Sequence, residues 1–513
     1  GWIANETIRN QYIYQFNYDR RGRLIERKIP GSGWEYLVYD QLNRPVLTQD
    51  ANQRSQNKWG FVKYDGKGRP VMTGYYTDNV NTSRSSLQLL LDGKNYNSTD
   101  QYFEIKQSST AHGFSNRAFP TANIEIRTVN YFDDHDFDNN GTADLTYTTQ
   151  SLPHEGLPGV TFGRSTGSKV AIENSANWLI QYVFYDQYGR PIQVKKNNSL
   201  NSTIADHTTN TYHLGRLNIS KTFHHGGGTN QVTTVTRTEY DAGGRPTKVL
   251  QSLNGGTEIL LVKYEYNALG QLVDKKLHEM GSVGSGVFVQ SVDFRYNILG
   301  QLASINNAQL TTGENNDDTN DYFGMEFLYN GVESGLNNTS RFNGNISAIK
   351  WKSPGTTTGV ANQRSYKLTY DKSNKLTSAV FQVRGTSSWN KEVNAHDELV
   401  TYDLNGNIKT LQRKQRKHQL SSSLVASYTN ELMDNLTYTY SSTDANSLLK
   451  VVDSSGPTGF DNGGSGSSDD FEYDATGRLL SDLNKDISAI SYNLDGKPIQ
   501  VQFNDGRKIT YTY

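Results

Sequence analysis

The sequence predicts an all-β protein, built from repeated antiparallel hairpins that pair into one long sheet. Three observations predict it. A tyrosine followed by Asp or Asn recurs eleven times, with Gly or Asn four residues after each tyrosine. The flanking segments alternate apolar and polar residues, as strands do. Apolar residues make up only 34% of the 513 residues, although there are 32 tyrosines and 46 glycines. That composition is typical of a large, partly solvated sheet with many turns.

Each copy of the motif predicts the corner of a hairpin. The Asp or Asn side chain can bond its own backbone two residues later and so start a turn. Gly and Asn tolerate the positive φ that is needed where a type I turn ends in a left-handed residue. Eleven equivalent tyrosines cannot all be catalytic, so we interpret them as packing residues. We expect positive φ at Gly22, Asn43, Gly68, Gly189, Gly244, Gly270, Gly300, Asn374, Gly406, Gly477 and Gly496.

The spacing of the motif predicts hairpins that lie side by side. Successive tyrosines are 21 to 30 residues apart from Tyr18 to Tyr64 and from Tyr185 to Tyr296, if the shorter copy at Tyr212 is included. Two strands of about 8–10 residues and two connections fill such a step. A lone hairpin is marginally stable, so neighbours must pair edge to edge. A long twisted sheet must then curl or split, and curling also hides its edges.

The repeats divide the chain into five stretches. Repeats occupy 1–80, 185–305 and 370–513, whereas 81–184 and 306–369 are inserts without the motif. No clear linker separates the stretches, so we expect one continuous shell. The chain starts without Met and stops at Tyr513, where the next turn is due. We therefore expect a fragment of a longer polypeptide, truncated at both ends.

Charge and composition exclude several classes of protein. The net charge is −1, from 51 basic and 52 acidic residues, so no global field attracts nucleic acid or an anionic membrane. The chain has no cysteine, which excludes disulfides and thiol chemistry. No run of 18 apolar residues is present, so we expect no transmembrane helix.

The strongest candidate site is an acidic loop in the first insert. Residues 136–144 carry oxygen ligands at loop positions 1, 3, 5 and 9, a carbonyl at position 7, and Gly141 for the sharp turn. That order is what a calcium loop needs. Position 12 is Tyr147 rather than Glu, and Asp133 or Asp134 is the substitute ligand we expect. The alternative is a solvated acidic turn. The predicted ligands are Asp136, Asp138, Asn140, Thr142 and Asp144, and calcium would staple the insert rather than catalyse.

Three other motifs are weaker. Gly163-Arg164-Ser165-Thr166-Gly167 matches the nucleophile elbow G-x-S-x-G, but no strand–helix unit surrounds it, so we expect a glycine-bounded turn. The adjacent His224 and His225 lack a third ligand at a fixed offset, which disfavours a metal site. The basic run 413–418 could contact anionic partners, yet no aromatic residues interleave with it, so a solvated strand or loop is favoured.

The tyrosine motif, written Tyr-Asp-x-x-Gly-Arg-Leu/Pro, resembles the RHS/YD-repeat family over nearly the whole chain. The blocks Asp321–Met325 and Phe342–Ile346, followed by Lys350-Trp351, are similar to RHS proteins of Bacteroidota, and so are 163–169 and 433–438. The resemblance implies a long antiparallel sheet that spirals into a hollow cocoon. In bacterial relatives, including toxin-complex shells, the cocoon encloses the C-terminal part of its own chain, often a toxin. Animal teneurins use a similar shell in adhesion.

The resemblance also shapes the functional expectation. Relatives that release their cargo cleave themselves at paired Asp-Pro motifs, and this sequence contains no Asp-Pro. We expect a non-enzymatic shell segment of a secreted or surface protein, which encloses its own C-terminal cargo and could meet secretion-system or cell-surface proteins. Export by the type IX route is compatible with the Bacteroidota likeness. The first alternative is a surface adhesion scaffold that displays insert 81–184. The second is an enzyme, which the lack of a convergent acid, base and nucleophile disfavours.

Overall fold

A computed structural model describes residues 5–96, 101–225, 231–313, 316, 320–355, 362–420, 426–456, 458–463 and 468–513, with the backbone alone at 418–420, 426 and 427. Helices in these ranges are short: α1 spans Glu6–Tyr12, α2 spans Ala51–Ser55, α3 spans Arg84–Asp92, and a 3-10 turn spans Leu483–Lys485. The other regular elements in these ranges are all antiparallel strands, which confirms the predicted all-β class.

The largest sheet has 17 strands, and each pairs antiparallel with the next one along the chain. Its strands are β1 Gln15–Tyr18, β2 Leu24–Lys28, β3 Glu35–Tyr39, β4 Pro45–Gln49, β5 Lys58–Tyr64, β6 Pro70–Thr77, β7 Ile124–Phe132, β8 Ser165–Ala171, β9 Trp178–Tyr185, β10 Pro191–Asn198, β11 Asn201–His213, β12 Arg216–His225, β13 Gln231–Tyr240, β14 Pro246–Leu253, β15 Ile259–Tyr266, β16 Leu272–Glu279 and β17 Phe288–Gln290.

Two further sheets continue the same meander. The second comprises β18 Phe294–Tyr296, β19 Leu302–Ile305, β20 Gly324–Leu328, β21 Ala348–Lys352, β22 Arg364–Tyr370, β23 Leu376–Val383, β24 Glu398–Tyr402, β25 Ile408–Leu420, β26 Ala426–Tyr440 and β27 Leu448–Asp453. The third comprises β28 Phe471–Tyr473, β29 Leu479–Asp482, β30 Ile487–Tyr492, β31 Pro498–Phe503 and β32 Lys508–Thr510. Both inserts supply strands to the meander, since β7 and β8 lie within 81–184 and β20 and β21 within 306–369.

Backbone hydrogen bonds also link each sheet to the next. Lys275 of β16 exchanges two of them with Val292, just before β18. Asp470, just before β28, donates its N–H to the carbonyl of Leu449 on β27 at 2.7 Å. The hairpins therefore follow one another without a break in direction from the first repeat to the last.

Most of this wall is a single layer. Strand β13 has no buried residue, and β12, β14 and β15 each have one buried apolar residue: Ile219, Leu250 and Leu260. The largest packed core forms where the first insert covers β3 to β10, and two smaller clusters, around Leu336 and around Phe381, lie on the second sheet. In the largest core, Leu87 and Leu91 of α3, together with Phe114 and Phe137, pack on strand residues such as Trp59. No hydrophobic cluster in the described ranges joins one sheet to another. The layer thus curves without a second sheet behind it.

The last repeats return to lie beside the first ones. Gly33 N donates to Ala475 O at 2.8 Å, and Glu173 N donates to Tyr513 O at 3.0 Å. Side-chain bonds cross the same junction at sequence separations of 420 to 431 residues, including one from Tyr75 Oη to Asp495. Early positions meet late positions in the same order along both segments. The sheet is therefore a spiral, and one turn of it takes between 340 residues, from Glu173 to Tyr513, and 442 residues, from Gly33 to Ala475. We call this junction the seam.

Candidate functional site

Each tyrosine motif closes its corner with the side-chain oxygens of the Asp or Asn that follows the tyrosine. At the corner between β5 and β6, Asp65 Oδ1 accepts the backbone N–H groups of Lys67 and Arg69 at 2.9 and 2.8 Å. Its Oδ2 accepts Arg69 Nε at 2.7 Å. Gly68 has φ of +79°, in the left-handed region that favours glycine. All eleven predicted corner residues have positive φ, from 62° to 93°, which confirms the predicted turn.

The tyrosine of one repeat is tied to the preceding repeat. Tyr64 Oη donates to Pro45 O at 2.7 Å, and Pro45 is the residue that follows the preceding corner. The same bond recurs along the chain, and we call the series the tyrosine ladder. Its other donors are Tyr39, Tyr185, Tyr212, Tyr240, Tyr266, Tyr329, Tyr370, Tyr402, Tyr440, Tyr473 and Tyr492.

The basic residue of the motif contacts the next repeat along the chain, whereas the tyrosine contacts the preceding one. Arg44 is paired with Asp40 in its own corner, and its guanidinium lies 4.5 Å from the ring centre of Tyr64 in the next repeat. Arg190, Arg245 and Arg478 stand in the same way over Tyr212, Tyr266 and Tyr492. Such contacts contribute about 0.5–1 kcal/mol each at exposed sites. The motif is therefore a fastening between hairpins, which agrees with a packing role for the tyrosines.

Sequence reasoning missed one corner of this kind, between β7 and β8. Phe132 replaces the tyrosine, and residues 134–162 are inserted between Asp133 and Gly163. Asp133 N still donates to Arg164 O at 3.0 Å, and Gly163 N donates to Asp133 Oδ1 at 2.6 Å.

Two tyrosines of the ladder, Tyr329 and Tyr440, were also missed, because no Gly or Asn stands four residues after either tyrosine. Their signal was a strand followed by a tyrosine at the repeat spacing.

The acidic loop projects from this expanded corner. Phe137 anchors it, because its ring stacks between Tyr131 and Tyr182 at centroid distances of 3.9 and 4.4 Å. Asp144 Oδ2 accepts the backbone N–H of Phe137 at 2.9 Å, which closes the loop. Asp136 accepts the N–H groups of Asn140 and Gly141 at 3.0 and 2.8 Å. The loop is thus held on a rigid aromatic stack.

The loop brings together three of the five predicted ligands as carboxylates. Asp136, Asp138 and Asp144 each offer an oxygen within 4.8 Å of the others, and they are the only such acidic, histidine or cysteine group in the ranges the structure describes. Burial raises the pKa of Asp144, and repulsion from Asp138 adds to this rise. A divalent cation would relieve that repulsion. Asn140 Oδ1 accepts bonds from Thr142 N and Oγ1 at 2.9 and 2.6 Å.

The expected substitute ligands have other partners. Asp133 accepts bonds from Arg69 at 3.0 and 2.8 Å and from Lys67 at 2.9 Å, and the Arg69 bonds hold its pKa well below the usual range. Asp134 pairs with Lys106. The residue at position 12, Tyr147, bonds Glu155. A cation here would rely on the three carboxylates, Asn140, the Thr142 carbonyl and water. Calcium binding at these residues stays a prediction.

The weaker motifs have structural roles. Ser165 begins β8 and its carbonyl accepts the ladder bond of Tyr185 at 2.7 Å, so the G-x-S-x-G match is the end of the expanded corner. His224 Nδ1 lies 2.9 Å from Asp206 Oδ2, a single carboxylate. Residues 413–417 lie on β25, where Arg413, Lys414, Arg416 and Lys417 pair with Asp434, Asp397, Glu392 and Glu431.

The two rims of the sheet differ, and the seam joins unlike rims. The motif corners line one rim, which we call the corner rim, and the remaining connections line the opposite rim. At the seam, Asp474 and Thr476 of a late corner accept bonds from Asn52 Nδ2 at 2.8 and 3.1 Å. Asn52 belongs to α2, on the opposite rim of the early repeats. The sheet therefore stacks by placing a corner rim on an opposite rim.

Comparisons with known proteins give structural similarities alone. No family model matches the sequence, and no curated protein does. The crystal structure of TcdB2-TccC3-TEV shares 12% identity, with a TM-score of 0.36, over 97% of this chain and 24% of that one. The Photorhabdus luminescens Tc holotoxin pore with mutant TccC3 shares 12%, with a TM-score of 0.37, over 94% and 24%. A porin-like protein from Bacteroides uniformis shares 12%, with a TM-score of 0.19, over 51% and 92%.

This chain thus spans about a quarter of the two toxin-complex chains. Because the TM-scores are low, the proposals below rest on the contacts of the chain itself. Among the helices that the structure describes, none is both long and apolar enough to cross a membrane.

Proposed function

We propose that this chain is a non-enzymatic segment of an RHS-type shell, which encloses the C-terminal part of its own polypeptide. The seam is the observation that carries the proposal. A single-layered sheet that returns to its own first repeats surrounds space, and closure removes the open edges that would otherwise aggregate. Containment needs no reacting groups, because the wall keeps proteases and solvent from what lies inside.

The contacts between neighbouring hairpins would stabilise such a wall against local opening. Most repeats add a ladder bond to the preceding repeat beyond the strand pairing, and those that end their corner in Arg or Lys can add a cation–π contact, as Arg44 does with Tyr64. A hydrogen bond of this kind contributes about 0.5–1.5 kcal/mol, so a dozen of them along one rim resist local opening together. The wall would then stay shut without a continuous hydrophobic core, as the burial pattern of β11 to β16 requires.

Outside the seam, the corner rim is free to bind a further turn of the shell through the same kind of contact as at the seam. Its tips carry solvent-exposed apolar side chains, including Leu214, Leu269, Leu299 and Leu404, with exposures from 76% to 106%. A row of exposed apolar tips is typical of a contact surface. Another turn of sheet would cover these tips with its opposite rim, as α2 is covered at the seam.

The setting that fits a cargo shell is outside the cell. We propose a secreted or cell-surface protein whose partner is its own C-terminal cargo, of the toxin or effector kind found in RHS relatives. Secretion-system or surface proteins are the external partners we propose. The balanced charge gives no reason to propose nucleic acid as a partner.

Protection from protease tests containment directly. The longest reading frame that contains this sequence would be purified and digested, and the fate of the segment after Tyr513 followed by mass spectrometry. We expect the shell and that segment to survive together. A triple variant of the seam, Asn52→Asp with Tyr75→Ala and Thr476→Asp, should expose the segment to digestion. Rapid digestion of the segment in the unmodified protein, with the shell intact, would contradict containment.

A further inference from the structure

A lysine, a glutamate and an asparagine meet beneath the first insert. Lys63 lies on β5, whereas Glu104 and Asn116 lie on the segment that covers it. Lys63 Nζ donates to Glu104 Oε1 at 2.9 Å and also contacts Asn116 Oδ1. The side chains of Lys63 and Glu104 are both 0% exposed. Nothing in the shell fold calls for an ionisable pair at this depth, since burial of two charges is costly and weak evidence of stabilisation.

The glutamate is held in one position by its surroundings. Its Oε2 accepts Ser115 Oγ at 2.6 Å and Arg117 N at 2.9 Å, and its Oε1 accepts Ala118 N at 3.0 Å. The carboxylate therefore cannot turn away from the lysine amine. Glu104 N also donates to Tyr64 O at 2.7 Å, which fixes the cover to the strand.

The asparagine presents two different sides. Its Oδ1 contacts the buried amine, while its Nδ2 donates to Thr121 O at 2.8 Å on the exposed side. A nucleophile thus approaches the amide from the interior, and the amide nitrogen lies where a leaving molecule reaches solvent. The geometry points to an intramolecular isopeptide bond between Lys63 Nζ and Asn116 Cγ, formed with Glu104 as the proton-transfer residue. We propose this cross-link as a covalent staple of the insert.

The reaction balances with these groups alone. Lys63 passes a proton to Glu104, and the free amine attacks Asn116 Cγ. A proton moves from Nζ to Nδ2, the Cγ–Nδ2 bond breaks as the Cγ–Nζ bond forms, and ammonia leaves and takes the proton from Glu104 as ammonium. Burial lowers the pKa of Lys63 against the opposing pull of Glu104, which favours the free amine. No oxidant is needed, which suits a chain without cysteine.

The same molecule offers a matched control. Lys28 Nζ also bonds an asparagine oxygen, Asn10 Oδ1, at 3.0 Å. In the described ranges, no acidic side chain forms an ion pair with Lys28, and Lys28 is only partly buried, whereas the Lys63 side chain is 0% exposed. The proposal therefore predicts a cross-link at Lys63 and none at Lys28.

Intact-mass spectrometry of the purified chain, denatured, tests the proposal. We expect a mass lower than that of the sequence by one ammonia, and a tryptic peptide that joins the Lys63 and Asn116 segments without cleavage after Lys63. Lys63→Met, Glu104→Gln and Asn116→Ala should each restore the full mass, whereas Lys28→Met should retain the loss. The full sequence mass in the unmodified chain, with both peptides released separately, would overturn the proposal. An ammonia loss that persists in Glu104→Gln would overturn the role of Glu104.

Discussion

The corner glycines allow the cost of a left-handed residue to be measured without steric complication. Gly68 has φ of +79°, and a Cβ built on it meets no atom within 4 Å. Gly68→Ala therefore adds only the backbone strain of an L-residue in that region, about 1–2 kcal/mol. Gly68→Asn should cost less than half of this, because Asn43 and Asn374 occupy equivalent corners at φ of 63° and 62°.

Hydrogen exchange at the β5 and β6 amides measures this cost locally. We expect about 5- to 30-fold faster exchange in Gly68→Ala, which corresponds to 1–2 kcal/mol less stability. Gly331→Ala is the matched control, because its backbone lies outside the left-handed region and its Cβ also meets no atom within 4 Å. Unchanged exchange in Gly68→Ala, or an equal effect of Asn, would refute our account of the corner.

Three further predictions concern the seam, the ladder and the acidic loop. Burial would raise the pKa of Asp474, but bonds from Arg478 and other donors outweigh it and lower the pKa to about 2. Its stabilisation is thus present above the ordinary value of 3.8 and is lost as pH falls towards 2, so Asp474→Asn should flatten the acid unfolding curve between these values. Tyr240→Phe removes the bond to Leu217 O and should cost about 0.5–1.5 kcal/mol in urea unfolding, whereas the exposed Tyr188→Phe should cost nothing measurable. Calcium should raise the melting temperature of the unmodified chain and not of Asp138→Asn with Asp144→Asn, and a calorimetric titration without heat would contradict the predicted site.

The corners could be predicted because their cause is local. An Asp after the tyrosine and a Gly three residues later fix the turn within one short segment, so composition and spacing are sufficient. The Phe132 corner escaped detection because its Asp133 and Gly163 are separated by a long insertion. The same locality explains why the acidic loop could be located, although the other partners of Asp133 and Asp134 could not be foreseen.

Contacts between distant segments left no local signal. The ladder acceptor of Tyr64 is Pro45 in another repeat, and the sequence shows only that a tyrosine is present. The seam joins Asn52 to Asp474, two residues whose types are common in loops everywhere. Lys63 and Glu104 form a pair only because an irregular segment folds over β5. In each case the tertiary fold, and not the residue pattern, decides which side chains meet.

Cross-linking of two engineered cysteines tests the spiral most directly. The chain has no cysteine of its own, so Asn52→Cys with Thr476→Cys creates a unique pair where Asn52 Nδ2 now lies 3.1 Å from Thr476 Oγ1. We expect a disulfide to form rapidly under mild oxidation and to link an early repeat to a late repeat of one chain. Asn52→Cys with Ser373→Cys, on a corner away from the seam, should stay reduced within the chain. Equal behaviour of the two pairs would contradict the closed spiral on which containment depends.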